Sequence, residues 1–230
     1  MYSRLKKIVM LLLVTNGLYR IGQAQNVLID PRDGMQYQIV KINSQVWMAE
    51  NMKYVADSIA HFYNPYAKEH KNKIYVLRSS DFQTVPEYNT AVTYCYADIP
   101  SHCKKYGMIY SWVAAQKACP VGWHLPSKED FDQLLFTVGG GGDQKKNYTA
   151  LITKDSVGFR VLLGGYFSAG ANNKDSKQRC YFSGSGKSVS FWTSTSKHKR
   201  VAKSFGMGYG YAGFNTDNKS SGNYVRCIQD

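Results

Sequence analysis

The sequence predicts a single domain of the α+β class, and three observations predict it. Alternating residues near the start indicate a β-hairpin, two apolar stretches in the middle follow helical spacing, and the last third consists of short aromatic-rich runs separated by Gly, Asn and Ser. The chain has 230 residues, of which 43% are apolar and 20% charged, as in a globular domain with one sizeable core. This composition excludes a disordered, collagen-like or coiled-coil protein.

The first 24 residues have the order of a secretory signal peptide. A cationic opening precedes an apolar run from Ile8 to Val14, and the small residues Gly22 and Ala24 follow it. The run is far shorter than the roughly 20 apolar residues of a membrane-spanning helix. We therefore expect residues 1–24 to be removed and residues 25–230 to form one exported domain without a stable membrane span. Its expected location is secreted or at the cell surface, with the periplasm and the outer-membrane exterior both open.

The predicted hairpin begins at a turn over residues 32–34. Tyr37, Ile39 and Lys41 alternate after the turn, and a second strand is expected around Gln45 to Met48. Residues from about 54 to 90 mix charges, turn residues and scattered aromatics without a sustained period. We interpret them as a variable insertion, in which residues 73–77 are compatible with one short strand.

Two helices are predicted in the middle of the chain. The second begins at Ser127, an N-cap residue, and Asp130 is placed to complete a capping box. Glycines at 139–142 end it. The face of the first helix is formed by Ile109, Trp112, Val113 and Gln116, and that of the second by Phe131, Leu134, Leu135 and Val138.

The β-like runs of the last third contain the candidate binding residues. Residues 201–214 are predicted as one strand, with Phe205, Met207, Tyr209 and Tyr211 on one face and glycines on the other. The chain has 18 tyrosines, too many for each hydroxyl to find a buried partner. Tyr209 and Tyr211, beside a predicted polar turn over residues 215–218, are expected at the surface. With Asn215 and Asp217 they are the candidate ligand-binding residues.

Catalytic and metal-binding patterns are lacking in the sequence. No serine lies in a G-x-S-x-G elbow, no cysteines form a C-x-x-C pair, and His124 is interpreted as a structural histidine between Trp123 and Leu125. We assign no catalytic residue, no metal ligand and no cofactor.

The chain carries a formal charge of +13, or +9 without the first 24 residues. Its lysines and arginines are spread along the sequence, so nucleic acid is not the predicted partner. An exported basic protein is expected to meet acidic glycan or surface polysaccharide instead. The oligomeric state stays open.

Five motifs in one order carry a family resemblance. They are D-x-R-D-G at residues 30–34, Q-V-W-M-A-E-N-M at 45–52, C-x-x-Y-G-M-I-Y-S-W at 103–112, C-P-V-G-W-H-L-P-S at 119–127 and V-R-C at 225–227. Together they resemble the Fibrobacter succinogenes major paralogous domain, a family of exported bacterial proteins of undefined activity. The segment HLPSKEDFDQLL also looks like a helix of the formylglycine-generating-enzyme group. The resemblance implies a C-type lectin-like fold, in which two helices flank a small twisted, mostly antiparallel sheet.

The five cysteines are predicted to form two disulfides in an oxidising compartment. In lectin-like folds a cysteine near the helices commonly pairs with one in the last strand, which implies a bridge from Cys119 to Cys227. Cys95 and Cys103 flank a short polar loop and are expected to pair locally. Cys180 is left over as a free thiol, either unpaired or bridging two chains.

The sequence favours a noncatalytic binding or adhesion module that recognises a glycan or another cell-surface component. C-type lectins bind sugar through calcium with E-P-N, Q-P-D and W-N-D triplets, and none of these occurs here. Two alternatives stay open: an extracellular enzyme that acts on polysaccharide or protein through an unidentified site, and a subunit of a surface assembly joined through Cys180 or an edge strand.

Overall fold

The computed structural model describes residues 27–56, 60–61, 75–77, 87–169 and 180–230. The predicted signal peptide and most of the predicted insertion lie outside these ranges. The strands are β1 (Val27–Ile29), β2 (Gln36–Ile42), β3 (Gln45–Met48), β4 (Ala60–His61), β5 (Tyr75–Leu77), β6 (Val92–Tyr94), β7 (Ile109–Tyr110), β8 (Trp123–His124), β9 (Gly164–Ser168), β10 (Cys180–Ser185), β11 (Ser188–His198), β12 (Val201–Gly208), β13 (Tyr211–Asn218) and β14 (Ile228–Gln229). The helices are α1 (Pro100–Tyr106), α2 (Trp112–Ala115), α3 (Lys128–Thr137) and α4 (Gln144–Tyr148), with a 3-10 turn at Tyr96–Asp98 and a π turn at Thr149–Thr153.

The prediction of an α+β, C-type lectin-like fold is wrong. The described residues are mostly β, and two of their sheets curl into half-barrels instead of forming one small sheet flanked by two helices. The first predicted helix accounts for part of the error. Ile109 and Tyr110 form a strand, because they pair antiparallel with Tyr94 and Thr93 of β6, and only four residues after Ser111 are helical.

The strands form three sheets within the described ranges. A five-stranded sheet has the order β1-β2-β3-β14-β8, and a three-stranded sheet has the order β4-β6-β7. The largest sheet has six strands in the order β13-β12-β11-β9-β10-β5 and is antiparallel except at the β9–β11 pair. Residues 222–224 connect the sheets through single bridges from Asn223 to Tyr110, Gly222 to Phe167 and Tyr224 to Phe191.

Several local predictions are confirmed. The front hairpin is present as β2 and β3, and Tyr75–Leu77 is a strand. Helix α3 has the predicted capping box: Ser127 Oγ accepts from the Asp130 backbone, and Asp130 Oδ2 accepts from the Ser127 backbone. Residues 201–214, predicted as one strand, instead form part of the hairpin β12–β13. Both turn residues, Tyr209 and Gly210, have positive φ, as a two-residue hairpin turn requires.

One face of the six-stranded sheet packs into the main hydrophobic core. Phe205 of β12 lies opposite Phe191 and Phe214 in the register, and its ring is 4.8 Å from that of Phe131 on α3. Phe131 in turn contacts Trp47 of β3, with ring centroids 5.1 Å apart. Helix α3 therefore joins the two largest sheets, and the opposite face of the six-stranded sheet is left for other contacts.

Two disulfides are present, Cys95–Cys103 and Cys119–Cys227, as expected. The second joins the corner before β8 to the segment before β14. The same corner is held by Arg32, whose guanidinium pairs with buried Asp30 at 2.7 Å and donates to the Ala118 carbonyl at 2.7 Å. Disulfides are compatible with an oxidising compartment. None of the helices in the described ranges has the length and hydropathy of a membrane-spanning segment.

Candidate functional site

The second face of the six-stranded sheet forms a groove of about 590 Å³, a volume typical of ligand sites. Side chains alternate along each strand, so the residues between the core phenylalanines point to this face. In the register, Gly208 lies between Ser188 on β11 and Tyr211 on β13, and Gly206 lies between Ser190 and Gly213. The floor of the groove is therefore backbone and serine.

The glycines keep the groove deep, because they place no side chain on its floor. A Cβ at Gly208 would lie 2.5 Å from Ser188 Cβ and 2.8 Å from the Lys187 carbonyl oxygen. A Cβ at Gly206 would lie 2.5 Å from the amide nitrogen of Asn215, and one at Gly213 would lie 2.9 Å from that of Gln144. Larger residues would displace the polar side chains that border the groove, so glycine keeps both the depth and these amides.

Two serine hydroxyls in the floor lack a hydrogen-bond partner within the described part of the structure. Ser188 and Ser190 are 9% and 7% exposed, and their Oγ atoms have no hydrogen-bond partner among the described residues. A buried hydroxyl without a partner costs about 1–3 kcal/mol of stability. Both serines line the groove, so their hydroxyls are candidate hydrogen-bonding groups for a polar ligand.

The walls of the groove are aromatic and polar. Four tyrosines line it, and two of them are largely exposed, Tyr209 at 71% and Tyr211 at 61%. Burial raises the pKa of Tyr166, and its hydrogen bond with Ser183 offsets part of that rise, so the phenol is protonated at neutral pH. The tyrosines are Tyr166, Tyr181, Tyr209 and Tyr211, and the polar wall residues include Gln144, Asn215, Thr216 and Asp217.

Asp217 is the one carboxylate among the described lining residues of the groove, and no Lys, Arg or His belongs to that lining. Its Oδ2 accepts hydrogen bonds from Ser204 Oγ at 2.6 Å and from the Asn223 amide at 2.9 Å. These donors fix the carboxylate in place. A lone fixed carboxylate can accept hydrogen bonds from a ligand, whereas acid–base hydrolysis of a glycosidic bond needs a second carboxyl group.

The chain matches a known protein family. The model of the family described as the Fibrobacter succinogenes major domain matches residues 40–229. The chain belongs to this family. Neither a curated protein nor a solved structure matches it. All the groove residues and both disulfides of this Fibrobacter succinogenes major domain lie inside the matched range.

The four candidate binding residues predicted from the sequence come together in this Fibrobacter succinogenes major domain, because all four line the groove. Their setting differs from the prediction. Asn215 and Asp217 lie on strand β13 and not in a turn, and Tyr209 lies in the hairpin turn. The side chain of Cys180, the predicted free thiol, lies outside the described part of the structure.

The serines, Tyr166, Tyr181 and Gln144 also line the groove and were not predicted from the sequence. A signal for the serines exists: Ser188 and Ser190 alternate with Val189 and Phe191 at the period of a strand with one polar face. His124, interpreted as structural, lies outside the groove, with its Nδ1 2.6 Å from Asp230 Oδ1. Among the described residues, no group of three or more His, Cys, Asp or Glu could hold a metal ion.

Proposed function

We propose that this protein is a noncatalytic binding module that acts outside the cytosol, secreted or at the cell surface, and takes up a segment of glycan in the groove. The observation that carries the proposal is the combination of partnerless buried serines with tyrosine walls over a glycine floor. A sugar has the matching chemistry, since its hydroxyls both donate and accept and its C–H faces pack on aromatic rings.

The composition of the groove supports binding without catalysis. Tyrosine provides a rigid contact surface at low cost in conformational entropy, and serine, glycine and asparagine provide adaptable hydrogen bonding, the same composition that antibodies use in their binding loops. The described lining offers one carboxylate and no base to accompany it.

The charge of the groove favours a neutral glycan over an acidic one. Asp217 is the charged residue of the described lining, and a carboxylate repels uronic acids and sulfated sugars. Binding in the groove is therefore expected to change little between low and high salt. An acidic polysaccharide bound to the basic surface as a whole would lose affinity steeply in the same comparison.

A glycan array, followed by titration of the best neutral glycan, tests the proposal. Tyr211→Ala removes a stacking wall and is expected to weaken binding by about 1 kcal/mol, a roughly fivefold rise in Kd. Phe136→Ala is the matched control, because Phe136 is 81% exposed on α3 and does not line the groove. Equal loss in both variants, or no glycan bound by the wild type, would contradict the proposal.

Ser188→Ala separates a binding role from a structural one. Since the hydroxyl has no hydrogen-bond partner among the described residues, its removal is expected to leave the free energy of unfolding unchanged or to raise it by about 1 kcal/mol. Glycan affinity is expected to fall in the same variant. A serine that mattered only for folding would give the reverse pattern, with lower stability and unchanged affinity.

A further inference from the structure

A second cavity lies away from the groove and is strongly basic. It has a volume of about 310 Å³ and lies between the segment after β3, the end of α1 and the segment before β9. Four of its nine lining residues are cations and one is an acid. We call it the basic pocket; its lining is Ala49, Glu50, Asn51, Lys53, Lys105, Tyr106, Arg160, Leu162 and Arg226.

Arg226 at the base of the pocket is a buried charge without a counter-ion. It is 1% exposed, and no carboxylate among the described residues lies within ion-pair distance of its guanidinium. Its partners are neutral oxygens: Asn51 Oδ1, at 3.1 Å from Nε and 2.6 Å from Nη2, and the carbonyls of Phe159 and Arg160. The rings of Phe159 and Phe191 flank it.

The nearby carboxylates are engaged elsewhere. Glu50 pairs with Lys53 at 3.2 Å, and Asp155 accepts the backbone N–H of Arg160. Burial is the larger effect and lowers the pKa of Arg226 to about 9, while both carboxylates raise that pKa only from a distance. The Arg226 guanidinium is therefore charged at neutral pH, and no carboxylate of the described residues forms an ion pair with it.

Two further cations stand at the mouth. Lys105 is exposed and its ammonium lies 4.8 Å from the ring centre of Tyr106. Arg160 is also exposed, while its backbone, with a φ of +53°, directs its carbonyl to Arg226. Neither side chain has an ion-pair partner among the described residues. With the Glu50–Lys53 pair neutral, three cations remain around the cavity.

We propose that the basic pocket binds a small ligand through an oxyanion, a carboxylate, sulfate or phosphate group, with Arg160 and Lys105 as its direct partners and Arg226 as the charge beneath it. A buried cation is costly without an opposite charge, and an anion at the mouth supplies one. Leu162 and Tyr106 offer the apolar wall against which the body of the ligand packs. The inference does not depend on glycan binding in the groove.

Titration of the protein with glucuronic acid, inorganic phosphate and inorganic sulfate, monitored by backbone amide NMR, tests the proposal. Neutral glucose is the control ligand. We expect at least one anion to shift the amides around residues 49–53, 105–106 and 160–162, with affinity falling at high salt, and glucose to leave these amides unmoved. The anion that binds most tightly identifies which oxyanion the pocket prefers.

Variants at the mouth complete the test, because both side chains are exposed and neither forms an ion pair among the described residues. Arg160→Gln or Lys105→Gln should weaken the anion about two- to fivefold each, and the double variant about tenfold. Lys187→Gln, an exposed lysine outside the pocket, is the matched control, and Tyr211→Ala should also leave anion binding unchanged. Absence of anion binding, equal binding of glucose, or an unaffected double variant would overturn the proposal.

Discussion

The long disulfide is expected to contribute about twice as much stability as the short one. Cys119 and Cys227 are 108 residues apart, whereas Cys95 and Cys103 are 8 apart. Loop-closure entropy gives about 4.8 kcal/mol for the long bridge and about 2.5 kcal/mol for the short one. The free energy of unfolding should therefore be about 2 kcal/mol lower in the double variant Cys119→Ala/Cys227→Ala than in Cys95→Ala/Cys103→Ala.

The stability lost with the long bridge reflects mainly the unfolded chain, because the folded corner around Cys119 keeps its other contacts. Arg32 still donates to the Ala118 carbonyl at 2.7 Å, and the Met48 amide still donates to the Cys227 carbonyl at 3.0 Å. Loss of the long bridge acts mainly by letting the unfolded chain expand. The slope of unfolding free energy against urea should rise as well, since the expanded chain exposes more surface.

Urea unfolding followed by tryptophan fluorescence measures the free energy of unfolding and its slope against urea. The wild type under reducing and non-reducing conditions is the reference. For a domain of this size we expect the long-bridge variant to melt roughly 10–20 °C below the wild type. Equal losses in the two variants, or a larger loss for the short bridge, would refute the reasoning.

Three further outcomes follow from individual contacts and are checked by the same unfolding assay. Gly208→Ala should lower the free energy of unfolding by about 2 kcal/mol because its Cβ meets backbone. Gly213→Ala should lower it by under about 1 kcal/mol because its Cβ meets only the flexible side-chain amide of Gln144. Equal losses in the two variants would contradict this. Burial raises the pKa of Asp30, but the hydrogen bonds and charge of Arg32 outweigh it and hold that pKa below its usual value. Ionised Asp30 therefore stabilises the fold above pH 4, and this stabilisation is lost as the pH falls through the lowered pKa. The variant Asp30→Asn should therefore lose less stability than the wild type as the pH falls below 4. An unchanged dependence of stability on acidic pH would contradict this. Arg226→Met should destabilise by about 3 kcal/mol, since it leaves buried acceptors unpaired, and a stable variant would show that these bonds are unimportant.

Local signals predicted the parts of the fold that depend on local contacts. The capping box of α3 involves residues three positions apart, and the front hairpin pairs neighbouring strands, so short windows of sequence contain their causes. The disulfide from Cys119 to Cys227 followed from a family resemblance and not from the residues alone. The resemblance to this family is correct, although the C-type lectin-like fold drawn from it is not.

The fold class depended on contacts that no short window contains. Residues 109–116 have a helical spacing of apolar residues, but Ile109 and Tyr110 pair as a strand with β6, and Tyr110 also forms a single bridge to Asn223, more than a hundred positions later. The glycine-rich run from 201 to 214 has strand alternation on both sides of a turn. Its break at Tyr209 and Gly210 was hidden because glycine occurs at every second position there.

The candidate site was predicted in part for a similar reason. An excess of tyrosine led to Tyr209 and Tyr211, and the polar residues that follow led to Asn215 and Asp217. The floor serines lie on β11, Tyr166 and Tyr181 on β9 and β10, and Gln144 on a helix, so only the assembled sheet brings them together with the predicted residues. Arg226 was noted as part of a motif, but its lack of a counter-ion is visible only from its surroundings.

We propose that the polar face of the six-stranded sheet is a glycan-binding surface. Amide NMR of the protein with the neutral glycan selected on the array tests it most directly. The largest shift changes should fall on Gly206, Gly208 and Gly213, whose backbone forms or borders the floor. Changes confined to residues outside the groove, with these three glycines unmoved at saturation, would contradict the claim.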